Sequence, residues 1–174
     1  MTRRTPIPTP DTPPGGVTRS RYRDRIFDDL RHDPYQAKGK YKEPAACGDC
    51  GAVLKRGRWH WANAPEGAIA IRCPACQRIR DKQPAGYVTL AGAFLEAHRD
   101  EILHLVRNEA ERERGEHALH RIMEIGQDRD RIVVTTTDVH LPRRIGRALE
   151  NAYQGDLEMS YGQDEYSVRV HWER

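Results

Sequence analysis

All four cysteines of this 174-residue chain fall into two C-x-x-C pairs, Cys47-Gly-Asp-Cys50 and Cys73-Pro-Ala-Cys76, with 22 residues between the pairs. A C-x-x-C turn places two sulfurs on one side of a tight loop, where backbone amides also support their charge. Two such turns brought together form the tetrahedral four-sulfur shell that Zn2+ accepts, with Zn–S distances of about 2.3 Å. Gly48, Gly51 and Pro74 are residue types that let such turns form. The intervening sequence reads as a ribbon, with arms at residues 52–61 and 68–72 joined by Ala62-Asn-Ala-Pro-Glu-Gly. The alternatives fit less well. A disulfide framework suits an exported chain, and a redox motif needs only one pair at the start of a helix. The expected cofactor is therefore one structural zinc on Cys47, Cys50, Cys73 and Cys76. Four protein ligands leave no coordination position for water or substrate, so such an ion holds the fold and does no hydrolysis. In a unit of this size it contributes roughly 10 kcal/mol or more to folding.

No apolar run approaches the ~20 residues needed to cross a bilayer. The opening Met1-Thr-Arg-Arg-Thr-Pro leads into prolines, not into a hydrophobic segment. A cytoplasmic, soluble protein without membrane contact is expected. The formal charge of +3 hides an asymmetry. Residues 1–82 hold 17 Lys and Arg against 9 Asp and Glu, whereas residues 83–174 hold 12 against 17. A basic first half, at +8, suits a polyanionic partner, and the second half, at −5, reads as an ordinary folded body.

Three segments follow. Residues 1–44 read as a disordered basic arm, because five prolines in the first fourteen residues and Gly15-Gly16 exclude regular structure there. Tyr22, Tyr35 and Tyr41 in this arm are candidates to stack on bases. Residues 45–83 form the four-cysteine zinc ribbon. Residues 84–174 alternate strand and helix in the order β-α-β-β-α-β-β, an α+β, ferredoxin-like (split βαβ) arrangement with an extra hairpin strand. The first helix of that domain spans residues 94–114. The second carries the apolar stripe Leu141, Ile145, Ala148, Leu149 and Ala152 and is capped by Thr137 or Asp138. Leu95, Ile102, Val106, Ile145 and Leu149 are expected to bury against Ile132, Val134, Val168 and Val170.

Around the cysteines, Lys55, Arg56, Arg58, Arg72, Arg78, Arg80 and Lys82 form a candidate nucleic-acid-binding surface, with guanidinium groups meeting phosphates. Trp59 and Trp61 either pack the ribbon against the second domain or offer a stacking platform. Arg143, Arg144 and Arg147 make a second basic patch on the helix side opposite the apolar stripe. No H-E-x-x-H, phosphate-cradling loop, dinucleotide fingerprint or G-x-S-x-G element is present. His98, His104, His117 and His120 lie along or just after the first helix among Glu96, Asp100, Glu101 and Glu116. A second metal or an acid/base pair is the alternative there, but they read chiefly as stripe and surface residues of a charged helix. No catalytic residues and no small-molecule substrate are expected.

The cysteine pairs, the segment Ile132-Val-Val-Thr-Thr-Thr-Asp-Val-His-Leu-Pro-Arg-Arg-Ile-Gly-Arg-Ala-Leu and the following Ala152-Tyr-Gln-Gly-Asp-Leu resemble, as a set, a family of small bacterial zinc-ribbon proteins. More distantly they resemble the N-terminal region of the archaeal and eukaryotic adaptor that escorts the nascent large ribosomal subunit, named after nonsense-mediated decay. This resemblance implies a zinc-binding, RNA- or ribosome-associated role without catalysis, with ribosomal RNA or a ribosomal protein as partner. It carries over Cys47, Cys50, Cys73 and Cys76 as zinc ligands and residues 138–149 as a family element. The adaptor's further C-x-x-C pairs and transport signals have no counterpart here, so a single zinc and no export role are expected. A DNA-binding or protein-docking regulatory zinc module is the alternative reading.

Overall fold

A computed structural model describes residues 33–36, 41–162 and 166–174. Most of the expected basic arm, including Tyr22, lies outside the described residues. Those described fold as a mixed α+β structure with two mixed sheets and four helices. Among them no helix is long and apolar enough to cross a membrane.

The first sheet holds β1 (Ala45–Cys47), β2 (Ala52–Lys55), β3 (Arg58–Trp61) and β4 (Ile69–Ile71), in the order β3-β2-β1-β4. Here the structure departs from the expected ribbon. Residues 52–61 are not one arm but a complete antiparallel hairpin, turned at Arg56 and Gly57 with φ of 54° and 74°. Two positive φ values in a two-residue turn match the right-handed twist of the strands. The carboxylate of Glu43 accepts both turn amides, at 2.6 and 2.8 Å. β4 pairs in parallel with β1, and the chain then enters helix α1 (Pro74–Asp81). Pro74 stands in the first helical turn, where its missing N–H costs nothing, and the Cys73 sulfur caps the helix by accepting from the Cys76 amide. The second cysteine pair is thus a helix start, not a ribbon end.

The second sheet is built from β5 (Gly86–Ala91), β6 (Ile122–Asp128), β7 (Arg131–Thr136), β8 (Asp156–Tyr161) and β9 (Val168–Glu173), in the order β6-β7-β5-β9-β8. Between these strands run α2 (Ala93–Ala97), α3 (Arg99–Glu116) and α4 (His140–Tyr153). The expected helix over residues 94–114 is broken at His98, whose φ of −122° is not helical. The strand order also differs from a simple split βαβ sheet. The strand after α4 takes the edge, and β9 returns to lie parallel to β5, inside it. Side chains explain the choice. Val168, Val170 and Trp172 of β9 are all fully buried, whereas Asp156, Glu158 and Ser160 of β8 are exposed, as befits an edge.

Side-chain alternation sets the two faces of this sheet, although β7 is buried on both. The expected set of Leu95, Ile102, Val106, Ile145 and Leu149 against Ile132, Val134, Val168 and Val170 is buried in one core, joined by Val88 and Leu90 of β5 and Trp172 of β9. The register lines Tyr87 up with Thr135 and Arg169, and Thr89 with Val133 and His171, on the opposite face. That face is polar.

Two glycines let α4 sit where it does. A Cβ on Gly146 would fall 2.7 Å from Val170 Cγ1, so the helix rides directly on β9. A Cβ on Gly86 would fall 2.3 Å from Pro142 Cγ and 2.7 Å from the Asp138 carbonyl. Gly86→Ala therefore pushes the start of α4 off the sheet. We expect a loss of about 1–3 kcal/mol and, at about 2–4 °C per kcal/mol for a chain of this size, a matching fall in Tm by thermal denaturation. An unchanged Tm would contradict the close approach.

Candidate metal centre

The first knuckle is shaped by Gly51, which adopts φ of +77° and donates its amide to the Cys47 carbonyl at 2.9 Å. That turn leaves the sulfurs of Cys47 and Cys50 facing the start of α1. The Cys73 amide donates to the Cys47 sulfur at 3.3 Å, and the Cys76 amide to the Cys73 sulfur at 3.4 Å. All four Sγ atoms lie within 4.8 Å of one another, and Cys50 and Cys73 are 3.7 Å apart. A tetrahedron with metal–sulfur bonds of about 2.3 Å has edges of about 3.8 Å. The cysteines are free thiols, spaced as metal ligands and too far apart for a disulfide. Cys47, Cys73 and Cys76 are buried and Cys50 half-buried, so the cluster is closed to solvent on most sides.

Beside it stands a residue that the sequence reading did not select. Arg121 donates to Cys73 Sγ at 3.1 Å and to Cys50 and Cys76 Sγ at 3.5 Å each. Its Nε donates to the Ala118 carbonyl at 2.9 Å, which fixes the fork. Four thiolates around a divalent ion carry a net charge of −2, and a guanidinium pressed on three of the sulfurs offsets half of it. Burial favours the neutral Cys47 thiol, but amide donation from Cys73, Asp49 and Cys50 outweighs it and holds the pKa down to about 7. Burial pushes the Cys73 thiol up, against donation from the Cys76 amide and the charge of Arg121. A bound cation would favour the thiolate form at all four positions.

The same region joins the two sheets. Ala118 and Leu119 pack into the cluster formed by Ala45, Cys47, Leu54, Trp59, Cys73 and Ala75. Trp59 is a core residue there, with Tyr41 edge-on at 6.4 Å. Trp61 donates its Nε1 to the Arg114 carbonyl at 2.6 Å and lies under the guanidinium groups of Arg114 and Arg121, at 5.3 and 5.7 Å. Both tryptophans thus pack, Trp61 with one side still open.

The basic residues divide. Lys55, Arg56 and Arg58 crowd the exposed tip of the β2–β3 hairpin. Arg72 is ion-paired with Asp49 and Arg80 with Asp81, both on the exposed surface with Lys82. Arg78 leaves the candidate surface. It is buried, ion-paired with Asp33, bonded to the Gln83 carbonyl at 3.1 Å and stacked on Tyr35 at 4.3 Å. Position 78 lies on the inner side of the eight-residue α1, and spacing along the chain could not reveal that. Arg143, Arg144 and Arg147 are half-buried along α4, and Arg144 is ion-paired at 2.7 Å with Glu113, a buried carboxylate of α3. Asp138, not Thr137, caps α4, accepting from the amides of His140 and Leu141 at 2.7 and 2.9 Å. Thr137 instead accepts from the Arg121 amide at 2.9 Å and donates to the Leu119 carbonyl at 2.6 Å. The Thr-Thr-Thr-Asp run therefore also pins the loop that carries Arg121. Comparison of the chain with protein-family models, curated proteins and solved structures returns no match.

Cys73→Ser removes the sulfur nearest Arg121, so we expect loss of the thiolate-bound metal, read by elemental analysis of the purified protein. Full retention would refute the four-ligand set. Arg121→Leu should lower affinity about 10–100-fold in competition with a chelator, with Arg121→Lys intermediate. Metal-bound thiolates stay deprotonated well below their ordinary pKa, so the bound state persists at neutral pH and is lost as pH falls. A metal content that does not drop on acidification would contradict thiolate ligation.

Proposed function

We propose that this chain is a non-enzymatic, cytoplasmic zinc protein that binds structured RNA, acting at the large ribosomal subunit as an assembly or stress factor. Zinc is the ion best suited to four sulfurs in a tetrahedral shell, because it needs neither redox partners nor a d-electron geometry. In this reading residues 45–83 are the zinc module, residues 84–174 are a ferredoxin-like module that sets orientation or binds a ribosomal protein, and the basic residues of segment 1–44 add cationic charge for the same partner.

The observation that carries the reading is the hairpin tip. Lys55, Arg56 and Arg58 are exposed within four residues of one another, on a turn held by Glu43 and on strands tied to the metal module. A rigid turn presents cations to phosphates with little ordering cost. Arg80 and Lys82 extend the same charge around α1, and the exposed edge of Trp61 can stack on an unpaired base. The resemblance of the cysteine pairs and of residues 138–149 to ribosome-associated proteins points to the same class of partner.

The test is binding of structured RNA as a function of salt, alongside duplex DNA at matched ionic strength. The RNA constant should fall steeply with salt, because each phosphate contact displaces condensed counterions. Replacing Lys55, Arg56 and Arg58 together by Gln should weaken binding and reduce the log–log salt slope by about 2–3. A slope unchanged in the triple variant would remove the hairpin from the interface. Tighter binding to the DNA duplex would replace RNA by DNA as the partner.

A further inference from the structure

Glu113 lies on the same helical stripe as Ile102, Val106 and Ala110 and is only 2% exposed, an unusual place for a carboxylate. Its Oε2 meets the Arg144 guanidinium at 2.7 Å. Its Oε1 faces two imidazoles just past the end of α3, with His120 Nδ1 at 2.8 Å and His117 Nε2 at 3.7 Å. These three ligand atoms all lie within 4.8 Å of one another. Around them, the His117 and His120 rings are 4.7 Å apart, and His140 stacks on His120 at 5.3 Å. Asp138 Oδ1 is 3.9 Å from His120 Nδ1, and its buried Oδ2 has no hydrogen-bond partner among the described residues.

An internal ion pair accounts for only part of this. Arg144 and one protonated histidine would satisfy Glu113. They leave a second imidazole on the same oxygen and an unpartnered carboxylate oxygen on Asp138. We propose that Glu113, His117 and His120 form a second metal site, for a divalent transition ion, separate from the four cysteines. Ligand bonds of about 2.0–2.2 Å give ligand–ligand edges of about 2.9 Å in an octahedron and about 3.4 Å in a tetrahedron. The observed 2.8 and 3.7 Å bracket those values. Two imidazoles and one carboxylate suit zinc, cobalt or ferrous iron and leave coordination positions open. Arg144 occupies the other oxygen of Glu113, so it orients the ligand rather than competing for it. Asp138 supplies the negative charge that a dipositive ion beside Arg144 requires. A small cavity of about 60 Å3 beside His120 is lined by Thr137, Asp138 and His140, and it brings the Asp138 carboxylate and a second imidazole next to the cluster without touching Glu113 or His117.

Cobalt separates the two sites by colour, since only thiolate ligands give intense charge-transfer absorption in the near ultraviolet. Titration of the purified full-length protein with Co2+ at micromolar concentration should saturate at two equivalents, one with that absorption and one without. His117→Ala combined with His120→Ala should bind one equivalent and keep the thiolate band, which also reports that the fold survives. Glu113→Gln, which keeps the shape of the side chain, should weaken the second equivalent at least tenfold. Saturation of the unaltered protein at one equivalent would overturn the proposal. A second equivalent that persists in both variants would do so too.

Discussion

Three sulfurs and one guanidinium organise this molecule. Arg121 reaches the sulfurs of Cys50, Cys73 and Cys76 from the loop between α3 and β6, and that loop leads into the other sheet. A buried guanidinium is costly unless its charge is answered, and a buried cluster of thiolates is costly for the same reason. Placed together, each answers the other. With a divalent ion bound, four thiolates and Arg121 would form a single cluster with a net charge of −1 in place of −2. Through it the small cysteine module is joined electrostatically, as well as by apolar packing, to the larger α/β body.

The joint concentrates chemistry in one place. The end of α3, the loop carrying Arg121 and the start of α4 meet there, fixed by Thr137 and the Asp138 cap and allowed to approach by Gly86. Charged and polar groups with metal-binding or anion-binding potential lie along this seam, while the far faces of the sheets are ordinary. The exposed hairpin tip with Lys55, Arg56 and Arg58 lies at the far end of β2 and β3 from Trp61, the residue that bonds to the Arg114 carbonyl. One end of that module is thus a joint and the other a free cationic surface.

Much of this was legible in the chain. The cysteine spacing gave the four-sulfur cluster, because C-x-x-C turns admit few geometries. The apolar periodicities gave the helix residues of the core from Leu95 to Leu149 with Ile132, Val134, Val168 and Val170, though not Val88, Leu90 or Trp172. What escaped were properties set by tertiary contact. A hairpin inside residues 52–61 depended on Arg56 and Gly57 both taking positive φ, and arginine does not advertise that. The placement of β9 inside β8 follows from a competition between two strands for one slot, which neither strand reveals alone. Arg121 looks like any arginine before a strand. Glu113 and His117 did leave a trace, since they continue the spacing of Ile102, Val106 and Ala110.

Hydrogen exchange with and without a strong chelator tests the joint directly. If an ion on the four cysteines clamps the two parts through Arg121, its removal should speed exchange across residues 45–61, 69–83 and 117–122. The amides of β5, β7 and β9 should keep their protection. Exchange indifferent to the chelator, or loss of protection across the whole central sheet, would contradict the account.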